Sequence, residues 1–383
     1  MQSMGRSNMT NADKPQAARG AAVTLASRTR EPQHEAVVHE QLARKLAMLQ
    51  GMEFLGAFDP AVHYGRPLYF VPSGTLVGTD DARKLGLDDE HDLFGGVVPQ
   101  AFVETKVITH PLVRPDADAP YGWSRDFAER VRGSVLPGYS VFSLADAREA
   151  GRRLLPEGPI RLKPVGATGG RGQERIDNEL ALDQALERVD VAELEQRGLV
   201  LEANLEHVTT FSVGQIRTAG HTLSYYGTQR LTTDNTGEMV YGGSDLFVVD
   251  GSFDALLAVD LPERTQLAVA QAQEYDAAAS ACFRGFFASR RNYDIAQGID
   301  GRGRACSGVL EQSWRIGGAS GAEIAALEAV IEGAHGLVHA STVEVYGEQE
   351  RVPAGATVLF RGEDPEVGFI TKYVTVERDG YSK

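Results

Sequence analysis

Two acidic residues late in the chain, Asp294 and Glu311, are spaced so that a β-hairpin would bring them together. Tyr293 to Ile299 and Ala305 to Trp314 read as strands flanking the turn signal Asp300-Gly301. A turn centred between Arg302 and Gly303 sets Asp294 opposite Glu311, with Cβ atoms about 5 Å apart on one face. Two bare carboxylates that close repel each other, and a hard divalent cation between them relieves the repulsion. Glu311, Ser313 and Arg315 alternate along one strand and share a face, which gathers two carboxylates, a hydroxyl and a guanidinium. Mg²⁺ takes such oxygens together with phosphate oxygens. A slip of one residue would put the carboxylates on opposite faces, as two solvated acids.

A second constellation is Lys163, followed by the glycine-rich residues 166–172. Small residues let backbone N–H groups approach an anion, and the ammonium adds a point charge, which suits a di- or triphosphate. The spacing fits neither a Walker A loop nor the Gly-x-Gly-x-x-Gly dinucleotide pattern. The competing reading is a surface loop with an exposed lysine. Lys106 and His110 lie near a proline where a substrate could be met, or are a surface lysine and a hydrogen-bonded core histidine. Tyr241, Ser244 and Asp245 form a polar cluster beside two glycines, facing an acceptor or making a turn. No Ser or Cys with a partnered His is apparent, so no covalent protein intermediate is expected.

The elements that must position these groups read as α/β. Residues 1–35 lack apolar periodicity and are expected to be a disordered leader. A helix is expected from about His39, a buried strand over residues 67–72, and a short helix behind Ser124. Ser143 is an N-cap candidate, and residues 159–164 form a strand feeding the glycine loop, with a helix after it. From Gly198 the pattern turns to consecutive strands, then an Ala-rich helix over residues 265–289, the hairpin, a helix over residues 322–332, and three short β-like runs.

At 383 residues the chain exceeds one ordinary core, so two or three lobes with a cleft between them are expected. With Lys+Arg 38 against Asp+Glu 53, the net charge of -15 argues against nucleic acid and anionic membranes as partners. The only two cysteines, Cys282 and Cys306, read as reduced thiols, and no apolar run suits a membrane span or signal peptide, so a cytoplasmic protein is expected.

From about Tyr121 to Ala340 the order of motifs resembles ATP-grasp proteins: residues 161–164 with Lys163-Pro164, the glycine loop, the acidic hinge of residues 199–205, then Tyr293-Asp294 and Glu311-Gln-Ser313-Trp-Arg315-Ile-Gly-Gly318. The last run resembles the branch carrying a pre-ATP-grasp domain. Residues 69–72, 105–113 and 241–246 look like an uncharacterised bacterial family of this type. The resemblance implies a pre-ATP-grasp lobe over residues 36–120, ATP-grasp lobes over 121–342 clamping Mg-ATP between a mixed and an antiparallel sheet, and a β-rich extension over 343–383. It implies that Lys163, Thr168, Gly169 and Gly170 meet the nucleotide phosphates, that Glu202 and Leu205 offer hinge groups to adenine, and that Asp294, Glu311 and Ser313 hold Mg²⁺. Arg315 would stabilise charge on the transferring phosphoryl group or an acyl phosphate. Ser313 stands where the motif has Asn, and Arg125 where an earlier lysine is expected. The reaction implied is ADP-forming ligation of a small carboxylate to an amine or similar nucleophile. The rivals are a small-molecule kinase and a nucleotide-binding regulatory module without turnover.

Overall fold

A computed structural model describes residues 20–28, 30–166, 172–348 and 351–377. The chain opens with β1 (Ala21–Leu25), α1 (Gln33–Leu49), β2 (Glu53–Ala57) and β3 (Leu68–Pro72), and β1 lies between β2 and β3, parallel to both. This corrects the expected leader, because Ala21, Ala22 and Val23 are fully buried at the centre of a sheet. A strand covered on both faces is a short unbroken apolar run, with no alternation to mark it. Residues 1–19 lie outside the described residues. Next come β4 (Leu76–Val77), α2 (Thr79–Lys84), β5 (Gly96–Val98), a 3₁₀ turn at Lys106–Thr109, and α3 (Arg125–Arg130). Ser124 caps α3, its hydroxyl accepting from Phe127 N.

The next lobe runs β6 (Gly138–Val141), α4 (Leu144–Leu154), β7 (Ile160–Pro164), β8 (Glu174–Ile176), α5 (Glu179–Leu186), α6 (Val191–Arg197) and β9 (Leu199–Ala203). Side-chain oxygens of Ser143, Asn178 and Asp190 accept from first-turn N–H groups of the three helices. The sheet order is β6-β9-β7-β8, antiparallel throughout, whereas a mixed sheet was expected. The strand β9 returns between β6 and β7, which run the same way, and so pairs antiparallel with each.

The third part is built on β10 (Glu206–Thr218), β11 (His221–Thr233) and β12 (Met239–Asp250), followed by α7 (Phe253–Leu257), α8 (Glu263–Cys282), β13 (Phe287–Ala288), β14 (Arg290–Ile299), β15 (Ala305–Ser313), α9 (Ser320–Ile331), β16 (Val338–Tyr346), β17 (Thr357–Asp364) and β18 (Gly368–Glu377). The helix expected to reach residue 289 ends at Cys282. Gly285 takes φ 86, and β13 leaves to pair with β5, Phe287 opposite Val97 and Ala288 opposite Gly96. Eight strands form one antiparallel sheet in the order β15-β14-β10-β11-β12-β16-β18-β17, so the expected C-terminal extension completes the main sheet.

One face of this sheet carries Phe211, Val213, Tyr293, Ile295 and Val309 into a core shared with Ala268, Val269, Ala272 and Tyr275 of α8. The opposite face carries Ile216, Leu223, Leu246, Val248 and Ala340 into a core with Leu42 and Leu46 of α1 and Ile324 and Leu327 of α9. Along that second face the residues facing out change from apolar to Ser212, Asn292, Asp294, Gln229 and Ser244.

Candidate active site

The hairpin β14–β15 sets Asp294 opposite Glu311, as the spacing predicts, but by a different route. The turn centres on Arg302: Asp300 Oδ1 accepts from the N–H groups of Arg302 and Arg304, both at 2.9 Å, and Gly303 takes φ 78. Ile299 therefore opposes Ala305 and Ile295 opposes Val309, one residue off the expected frame. A bulge at Leu310 restores it. The extra residue lets Val309 point into the α8 core, fully buried, while Glu311, two residues on, points to the other face. Without the bulge the two would share a face.

Asp294 is half-buried and closely surrounded by protein. That burial, with the charge of Glu311 second, pushes its pKa up to about 7, against the pull of the Gln229 hydrogen bond and of Arg290 and Lys106. Gln229 Nε2 donates to Asp294 Oδ1 at 2.9 Å. Glu311 is paired with Lys106, Nζ to Oε2 2.9 Å, and Lys106 is only 6% exposed. Two opposed carboxylates, one of them desolvated, are a donor set that fits a divalent cation. The hydroxyl of Ser313 accepts from Arg290 Nη1 at 3.2 Å.

Lys163 is buried at the end of β7, on the face it shares with Glu202 of β9. Its Nζ donates to Glu202 Oε1 at 3.0 Å, and His110 Nε2 meets Glu202 Oε2 at 3.0 Å. Burial alone would raise the Glu202 pKa, but the neighbouring Lys163 and His110 bring it down to about 2. The imidazole fits because residue 138 is glycine: a Cβ there would stand 2.8 Å from His110 Nδ1. So the side chain of Glu202 sets the lysine. Asn204 N donates to Pro159 O, and Arg161 holds Asn204 Oδ1 at 2.8 Å. Leu205 packs with Leu136 and Ala296 and, in part, with the bulged Leu310.

The segment 106–110 joins the two constellations, Lys106 touching Glu311 at one end and His110 touching Glu202 at the other. Sequence reasoning left both residues between two readings. No local signal marks either as buried, because their partners Glu311 and Glu202 lie on other strands. Arg125 is not brought in; it is exposed in the first turn of α3, which packs through Phe127 against Tyr275 of α8. Thr168, Gly169 and Gly170 lie outside the described residues.

Arg315 follows β15 with its Nη1 on Ile316 O at 2.9 Å. Burial first, then the nearby guanidiniums of Arg28 and Arg290, push its pKa down, opposed by Glu35 and Glu311. An arginine crowded by like charge favours an anion. Tyr241 reaches Ser244 Oγ at 2.7 Å and lies against Gly318, where a Cβ would be 2.6 Å from the ring. Asp245 turns to the other face and pairs with Arg230.

These sheets, with the first lobe ahead of them, make the ATP-grasp fold with an N-terminal pre-ATP-grasp lobe. The chain is similar to pyruvate carboxylase of Rhizobium etli, with TM-score 0.51 at 12% identity over 94% of this chain and 36% of that one. It is also similar to Staphylococcus aureus N5-carboxyaminoimidazole synthetase complexed with ADP, with TM-score 0.49 at 13% identity over 94% of each chain. Biotin carboxylase of Campylobacter jejuni matches with TM-score 0.49 at 11% identity, over 93% of this chain and 87% of that one. Within that fold, the chain belongs to the family described as "Protein of unknown function (DUF3182)", which matches residues 22–374. No curated protein matches the sequence. Among the described residues no helix is long and apolar enough to cross a membrane.

Proposed function

We propose that this protein is an ATP-dependent, ADP-forming ligase that joins a small-molecule carboxylate to an amine or similar nucleophile. The observation that carries the reading is the opposed pair Asp294 and Glu311, with Arg315 beyond it and the segment 106–110 tying it to Lys163. Asp294 and Glu311 would hold Mg²⁺, which would supply charge neutralisation among phosphate oxygens. Lys163, fixed by Glu202, would draw charge from the nucleotide phosphates, and backbone groups from Glu202 to Leu205 would meet adenine. An oxygen of the substrate carboxylate attacks the γ-phosphorus as its bond to the bridging oxygen breaks, and ADP departs. The nucleophile then attacks the acyl carbon, the carbon–oxygen bond to phosphate breaks, inorganic phosphate leaves, and the nucleophile's proton passes to water. Arg315 would hold the anionic groups at both stages, so catalysis is positioning and electrostatics.

The test is thermal unfolding with Mg-ATP, Mg-GTP and ATP plus chelator, for wild type, Lys163→Ala and Glu311→Ala. Stabilisation by Mg-ATP that both variants lose is the expected result, since a ligand that favours the native state raises its stability. No shift at millimolar nucleotide sinks the reading. The hold of Arg290 on Ser313 favours one second reading, a nucleotide-binding module without turnover. That reading requires Mg-ATP stabilisation with no ADP release over a screen of carboxylates and amines.

A further inference from the structure

We infer that Asn292 supplies the third protein oxygen for the cation between Asp294 and Glu311, so that an amide absent from one strand of the hairpin is provided by the other. The inference rests on the metal site of the proposed function. Asn292 stands directly opposite Ser313, and it shares a face with Asp294, two residues along β14. Opposed residues have Cβ atoms about 5 Å apart, so an amide on either strand reaches the space between them, while a serine side chain is one heavy atom shorter.

The hydrogen bonds assign the two oxygens different work. Asn292 is 8% exposed, and its Nδ2 donates to Ser212 Oγ at 2.6 Å, toward β10. Ser212 itself lies opposite Asp294. The nitrogen is the arm engaged on β10, which leaves the carbonyl oxygen as the arm assigned to the cation. Amide carbonyls are ordinary ligands for hard cations. Ser313 is already engaged. Arg290, 2% exposed, sits on Glu323 through Nη2 at 2.8 Å and through Nε at 3.1 Å, and its Nη1 donates to both Ser313 O and Ser313 Oγ at 3.2 Å. A divalent cation on that same oxygen would lie beside a fixed guanidinium, and like charges at such separations repel strongly away from water.

The experiment is a Mn²⁺ titration in the presence of ADP, reading free Mn²⁺ by electron paramagnetic resonance, on the full chain. Asn292→Ala, Asn292→Asp, Ser313→Ala and Glu311→Ala are compared with wild type after each is shown to unfold cooperatively. Asn292→Ala should weaken Mn²⁺ binding at least about tenfold, the loss seen even for groups that only orient a ligand. Asn292→Asp, which keeps a hard oxygen but cannot donate to Ser212, should bind Mn²⁺ at least as tightly as wild type. Ser313→Ala should leave binding unchanged. A loss in Asn292→Asp equal to that in Asn292→Ala would assign the amide a structural role and overturn the inference. So would a loss in Ser313→Ala that matches Asn292→Ala. If Glu311→Ala loses Mn²⁺ while Asn292→Ala keeps it, the inference falls and the proposed site stands; if wild type binds no Mn²⁺ with ADP, both fall.

Discussion

Glu202 shows how a buried charge can be fixed for work by its neighbours. A carboxylate with 3% of its side chain exposed is tolerable only because Lys163 and His110 occupy its two oxygens. Its pKa falls from 4.5 in the unfolded chain to about 2, so the unfolded state binds the proton more tightly. The stability this contributes is fully present above pH 4.5 and is lost as the pH falls toward 2. Glu202→Gln should lower stability at pH 7 by roughly 3 kcal/mol, the lower end for breaking a buried pair. Urea denaturation across pH should show the gap between variant and wild type closing through that acid window. A constant gap would mean that the carboxylate is not charged in the native state.

The hairpin β14–β15 is the element on which the site turns. Its edge is fastened to the chain just before the four-stranded lobe, with Val309 N donating to Ser134 O at 2.8 Å and Gly308 closely packed on Val135 and Leu136. A Cβ at Gly308 would lie 2.5 Å from Leu136 N. Because backbone cannot swing aside as a flexible side chain can, Gly308→Ala should cost about 1–3 kcal/mol, as overpacking does. Thermal unfolding of that variant should show a lowered midpoint. An unchanged midpoint would show that the edge contact is not tight.

At the scale of the molecule, the last strands belong to the main sheet. β18 pairs with β16 along its length, Ile370 is fully buried, and Val374 lies against Gly321 of α9. The N-terminus of α1 is tied to the same region, with His34 N donating to Asp364 Oδ2 at 2.9 Å. A chain ending at residue 346 should therefore lose cooperative unfolding, followed by circular dichroism on heating, and bind no nucleotide. A truncated chain that melts cooperatively near the wild-type midpoint would show that these last strands are dispensable to the main sheet.

The sequence by itself determined what is local. Hydroxyl caps at Ser124 and Ser143 start their helices, and two acids at hairpin spacing stand opposite each other. Each of these follows from chemistry within a few residues of chain. Only the tertiary structure decided the rest. The strand at Ala21 has no alternation because both its faces are covered, and α8 ends at Cys282 because β5, far off in sequence, captures the residues that follow. The bulge at Leu310 exists because Val309 and Glu311 must face opposite sides of one sheet, and no pattern of residues in β15 shows what lies on either side. Lys106, His110 and Asn292 acquire their meaning the same way, from partners on other strands. Burial and charge pairing are properties of the assembled fold, which a linear spacing rule cannot carry.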